Sequence, residues 1–261
     1  MNSTFNLKRF LLLFKKHSVE HAKANLLSLL VLMGLLFLLL GYYSYSSHGH
    51  LDKNAQGITF IFFMLVGGSI YTSISFNALG DKKKAIPFLI LPASHFEKYL
   101  VSWLYTYMIF QLVFLGAFYL VDITVIHLGV KPVANWEGLI NIFSSREKGS
   151  MAFLAYTIFN GLALWGAVFF EKLHFIKTSI IFFVCLAVLI LFNNQLLNIL
   201  IVAKANTISG APFQGLDIND DINFWRITPD QSWVLYGKCI VLFTALLLWT
   251  GAFFRLKEKE V

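Results

Sequence analysis

The sequence predicts an all-α, polytopic integral membrane protein: six transmembrane helices preceded by an amphipathic helix at the cytoplasmic interface. Three observations carry that expectation. The 261 residues are 57% hydrophobic and only 13% charged, with a mean hydropathy of +0.69, whereas a globular domain carries about 25% charged residues. The apolar residues, 27 phenylalanines among them, fall in continuous blocks, where the strands of an outer-membrane barrel would alternate. Lysine and arginine gather on alternate segments between those blocks, as they do in multi-pass membrane proteins. A disordered chain, a soluble enzyme core and a disulfide scaffold are excluded together. Cys185 and Cys239 sit inside apolar blocks, so they offer neither a metal cluster nor a secreted disulfide framework.

Residues 1–24 come first. At 100° per residue, Lys8, Arg9, Lys15, Lys16, Glu20 and Lys23 share an arc of about 140°, with Leu7, Phe10, Leu11 and Phe14 opposite. Leu12 and Leu13 blur the pattern. The segment is expected to lie in the interface, apolar face down and cations among anionic headgroups, rather than to act as a basic tail. It lacks the short apolar run and small-residue site of a cleaved signal peptide.

Residues 25–261 are expected to form a six-helix domain. Each span needs about 20 apolar residues. Six segments qualify: Leu26–Tyr45, Ile58–Leu79, Tyr99–Val121, Met151–Phe170, Ser179–Ala203 and Trp233–Phe254. They leave external loops at 44–57, 122–150 and 204–232 and a cytoplasmic loop at 81–98. With both termini inside, fourteen of the 21 Lys and Arg residues face the cytoplasm. The excess positive charge of +7 then records orientation in the bilayer, and no nucleic-acid partner is expected. In the second external loop, Trp136–Phe143 is expected to rest on the membrane surface. The third contains Gly210, Pro212, Gly215 and Pro229, which argue against continuous helix.

Several constellations bear on chemistry. Asp217-Ile-Asn-Asp-Asp221 resembles an acidic cation loop, but Ile222 and Thr228 occupy the positions where such a loop needs Gly and Glu. Those acids read as hydrated loop residues. His48-Gly-His50 lacks further ligands, since a metal site needs three or four. No metal or cofactor is expected. Asn193, Asn194, Gln195 and Asn198 place four amides in the second half of the fifth span, where they either line a polar path or join neighbouring helices. Gly67-Gly68-Ser69 with Thr72, Ser73 and Ser75 reads as a small-residue face for close helix packing. His-Glu-x-x-His, Gly-x-Ser-x-Gly and the phosphate-binding loop are all absent from the sequence. The chain is therefore not expected to be an enzyme, and any ATP hydrolysis would belong to a partner.

The 81–98 loop is the most informative stretch. Lys82, Lys83 and Lys84 mark the cytoplasmic exit, and Pro87 and Pro92 bracket a short apolar piece too short to cross a membrane. Ser94-x-x-Glu97 fits a capping box that opens the third helix. A stop, a turn and a clean helix start account for Ser94 and Glu97, but not for the apolar Ile86-Pro-Phe-Leu-Ile-Leu91 at a cytoplasmic surface, which reads as a docking element.

Leu91-Pro-Ala-Ser94-x-x-Glu97-Lys98 resembles the loop between the second and third spans in permease subunits of type-2 ABC transporters. The six spans, the basic N-terminal helix and the long loop before the last span also match. The resemblance implies a bacterial inner-membrane permease, an exporter, paired with a second copy or a paralogue and bound to two cytoplasmic ATPase subunits. It also implies that Pro87, Phe88, Pro92, Ala93, Ser94, Phe96, Glu97 and Lys98 form the coupling element, and that the N-terminal helix is an interfacial elbow. Asp217–Asp221 makes deep re-entry of the 204–232 loop costly, and the sequence leaves re-entry and outward projection both open. The alternative is a membrane anchor or assembly subunit that uses the same loop to dock a cytoplasmic partner without transport.

Overall fold

In a computed structural model the structure describes residues 5–49, 51–75, 93–129, 138–143, 149–170, 174–200, 207–211, 215–220, 223–228 and 230–259. The apolar blocks become helices: α1 (Leu7–Ser46), α2 (Lys53–Ser75), α3 (His95–Leu128), α4 (Gly149–Phe169), α5 (His174–Leu200) and α6 (Gln231–Lys259). All six are long and apolar enough to cross a membrane. The chain is a multi-pass membrane protein by that measure. The start of α1, the start of α3 and the end of α6 lie together, since Arg9 reaches Glu97 and Phe253 packs on Phe96 and Tyr99. This is termed the proximal end.

α1 departs from the expected pair of elements. Asn6 caps it by accepting from the amides of Lys8 and Arg9, and no Gly or Pro interrupts the chain before Gly34. One helix of 40 residues results, with no break at residue 24. Its first turns are continuous with the apolar stretch that follows. They stand beside the base of α3. Arg9 meets Glu97 at a separation of 88 residues, and the Ser18 hydroxyl meets that of Tyr105 at 87. Phe14 and His17 pack on the Tyr105 ring at 5.0 and 4.5 Å. At the far end, a Cβ on Gly129 would lie 3.1 Å from the Ser44 hydroxyl. α1 and α3 therefore run side by side in the same direction along their length, and part of the apolar face assigned to lipid packs on α3 instead.

The main core joins α1, α2, α3 and α4 through Leu36, Leu40, Phe60, Met64, Phe114, Phe118 and Tyr156, all almost fully buried. Phe60 packs against Phe114 and Phe118 at 5.3 and 5.1 Å, and such ring pairs add about 0.5–1.5 kcal/mol beyond their burial. A second cluster near the proximal end joins Tyr99 to Leu164, Val168, Ala252 and Leu256. The small-residue face of α2 does bring helices close: a Cβ on Gly68 would collide with the rings of Tyr156 and Phe110. α5 is different. Among its described side chains none is buried, and it leans on α4 where Thr178 meets Gly166 and Phe182 meets Phe159.

Two expected loops are more structured than their composition suggests. α3 continues to Leu128, past the expected end at Val121. Residues 138–143 plug the bundle with Ile140 and Ile142, which are buried, and leave Leu139 and Phe143 exposed. Gln56 holds that plug: its Oε1 accepts from the Ile140 amide at 2.9 Å, its Nε2 donates to the Gly138 carbonyl at 3.4 Å, and Tyr119 donates to the Ile140 carbonyl at 3.2 Å. The side-chain amide supplies the hydrogen bonds that an irregular buried segment lacks. Between α5 and α6, β1 (Thr207–Ala211), β2 (Gly215–Asp220) and β3 (Asn223–Ile227) form an antiparallel meander in the order β1-β2-β3. The helical fold thus carries one small sheet. Asp217, expected to be a hydrated loop acid, sits directly across from Arg226 and accepts from its Nε and Nη2 at 2.8 and 3.2 Å.

Candidate functional site

The loop that opens α3 ends in a tightly determined junction. Ser94 accepts from the Glu97 amide at 3.2 Å, and Glu97 Oε2 accepts from the Ser94 amide at 2.9 Å, completing the capping box expected from the sequence. The same carboxylate is used twice more. Oε1 accepts from the Asn6 amide at 2.8 Å and from Arg9 Nη2 at 2.9 Å, while Oε2 accepts from Arg9 Nε at 3.1 Å. Glu97 is fully buried and Arg9 about one-third exposed. A buried charge is costly unless paired and hydrogen-bonded, and here two backbone amides and a guanidinium fork meet that demand. The fork fixes direction as well as distance. One side chain therefore closes the end of the 81–98 loop, starts α3 and anchors the beginning of α1.

The neighbours divide by exposure. Ala93 and Lys98 are buried. Phe96 is 47% exposed and packs edge-on against Phe5 and Phe253, each at 6.1 Å. Ala93, Ser94, Phe96, Glu97 and Lys98 are thus brought to one place, with an open aromatic surface between the starts of α1 and α3 and the end of α6. Pro87, Phe88 and Pro92 lie outside the described residues. Arg9 and Asn6 are the partners that the sequence alone does not connect to this site, because nothing local links residue 9 to residue 97.

Asn193, Asn194 and Gln195 occupy α5. Asn194 and Gln195 are exposed on its outer side and Asn193 is half-buried, while the side chain of Asn198 lies outside the described residues. A different amide organises the interior. Asn160 on α4, fully buried, donates from Nδ2 to the Thr72 hydroxyl at 3.0 Å, and its Oδ1 accepts from Trp249 Nε1 at 3.2 Å. It ties α2, α4 and α6. Beside it, Leu104–Ile109 of α3 adopt a π turn, and Tyr156 donates to the Thr106 carbonyl at 2.6 Å. A π turn loosens the regular ladder, and the tyrosine takes up a carbonyl there. The sequence signal for Asn160 is its place as the single amide in the fourth apolar block.

Asp122 is a second residue that the sequence reading does not single out. It is fully buried in α3, and neither carboxyl oxygen has a hydrogen-bond partner among the described residues. Among those residues no group of three His, Cys, Asp or Glu side chains converges as a metal site would require. No family model, curated protein or solved structure matches this chain.

Proposed function

We propose that this chain is the membrane-spanning permease subunit of a type-2 ABC transporter, an exporter of the bacterial inner membrane with both termini in the cytoplasm. The reading rests on the resemblance of Leu91–Lys98 to the coupling loop of that family. The observation that carries it furthest is the carboxylate of Glu97, which accepts from both Asn6 and Arg9 and so joins that loop to α1 as well as to α3. An ATPase subunit pressing on the exposed Phe96 would displace the start of α3. Arg9 and Asn6 would carry α1 with it. The chain itself performs no covalent step, and a second copy or a paralogue completes the path.

The test is co-purification from native membranes followed by ATP hydrolysis measurements on the reconstituted complex. A partner with a phosphate-binding loop is expected, and the double variant Phe96→Ala, Glu97→Ala should uncouple its ATP hydrolysis from transport while α-helical content is kept. Capture of a partner without nucleotide chemistry would favour a membrane anchor, and unchanged coupling in the double variant would overturn the role of this loop.

A further inference from the structure

A groove of about 610 Å³ runs between α1, α2 and α3, and we infer that it binds one acyl chain of an anionic phospholipid from the leaflet facing the proximal end. Its polarity is uneven. Asn25, Ser28, Tyr71 and Tyr105 line it toward the proximal end, and farther along α1 its lining is apolar, with Leu32 and Leu35. Tyr71 donates to Asn25 Oδ1 at 3.4 Å, which leaves the Asn25 amide hydrogens for an ester or phosphate oxygen. That distribution suits an amphiphile. A neighbouring helix would instead meet an apolar wall along its whole length.

Dimensions agree. Asn25 to Leu35 spans ten helical rises, about 15 Å, and one leaflet supplies half of a hydrocarbon core of about 30 Å. The groove opens sideways, because Val66, Ile70 and Ile74 are exposed along its rim, so an occupant can enter from the bilayer. Charge then selects the headgroup. The stretch of α1 leading to Asn25 carries Lys8, Arg9, Lys15, Lys16 and Lys23 against Glu20 alone. Arg9 is engaged with Glu97 and Lys16 with Glu20 at 3.6 Å, and Lys23 stands exposed two residues before Asn25. Such a basic stretch attracts anionic headgroups.

The experiment places the full chain in vesicles of phosphatidylcholine doped with a trace of photoactivatable phosphatidylglycerol or phosphatidylcholine, the reactive group in the acyl chain. Adducts are mapped by peptide mass spectrometry. The expected result is labelling concentrated around Leu32, Val66 and Phe110, several-fold stronger with phosphatidylglycerol. Gly67→Leu should lower it several-fold, because Gly67 lines the groove and a Cβ there meets nothing closer than Leu32 at 3.4 Å. Val66→Trp provides a second way to fill the groove if Gly67→Leu does not fold. Lys15→Gln with Lys23→Gln should remove the headgroup preference but keep the labelling. Labelling no denser than on the outer faces of α5 and α6 would overturn the inference. So would equal labelling by the two lipids, insensitivity to both filling variants, or chain-to-chain crosslinks showing a second copy in the groove.

Discussion

Arg9 and Glu97, 88 residues apart in the chain, meet as a forked ion pair, with Nε 3.1 Å from Oε2 and Nη2 2.9 Å from Oε1. The two partners are not equivalent. Glu97 is buried and also receives two backbone amides, whereas Arg9 keeps a third of its side chain in contact with the surroundings. Removing the arginine therefore strands a buried charge. Removing the carboxylate's charge does not.

A ranking of stabilities follows for this junction. Arg9→Ala should lower the melting temperature in detergent most, at a cost of about 2–4 kcal/mol. Arg9→Lys should cost less, since it keeps the charge but loses the fork. Glu97→Gln should still lose less than Arg9→Ala because it strands no buried charge, although its single amide oxygen can serve only one of the Asn6 and Ser94 amides, which bond different oxygens of the carboxylate. A larger loss for Glu97→Gln than for Arg9→Ala would contradict the burial assigned to the pair.

Adjacent glycines on α2 should behave oppositely. Gly68→Ala places a methyl against Tyr156 and Phe110 and should cost about 1–3 kcal/mol. Gly67→Ala has room and should be nearly neutral. Thermal unfolding of the two purified variants under one detergent condition distinguishes them.

The interior amide lends itself to a double-mutant cycle. Asn160→Ala removes one hydrogen bond to Thr72 and one from Trp249. Combined with Trp249→Phe, the cycle should return a coupling of about 0.6–2 kcal/mol, the range for polar contacts between membrane helices. Additive losses would mean that the Trp249 indole bonds elsewhere.

How much of this was legible beforehand varies with the range of the signal. The six helices follow from block length, and the Ser94–Glu97 cap from spacing three residues apart, so both could be read locally. The crowding at Gly68 was legible too, as a small residue inside an apolar run. The second use of Glu97 was not, because its partners Asn6 and Arg9 lie a whole pair of helices away. The meander was hidden for another reason. Gly210, Pro212, Gly215 and Pro229 read as loop punctuation, although Leu216-Asp-Ile-Asn219 alternates as a strand should. The inward turn of Ile140 and Ile142 was not legible, because hydropathy gives the character of a segment and not its partner, here Gln56.

Asp122 yields the fourth prediction. A buried carboxyl with no partner among the described residues is a standing cost, so Asp122→Leu should raise the melting temperature by a few degrees, against the usual direction of a buried substitution. A clear fall would mean that the carboxyl is satisfied, by water or by another chain, in the assembled protein.

The pairing of α1 with α3 has a mechanical consequence. Two rods held together at Arg9–Glu97, at Ser18–Tyr105 and again near Ser44–Gly129 cannot slide past each other. They can only swing as one. A 40-residue helix is about 60 Å long, so a pivot of 5° at its base moves its tip by roughly 5 Å. Length turns a slight rotation at one surface of the membrane into a full helical turn of travel at the other.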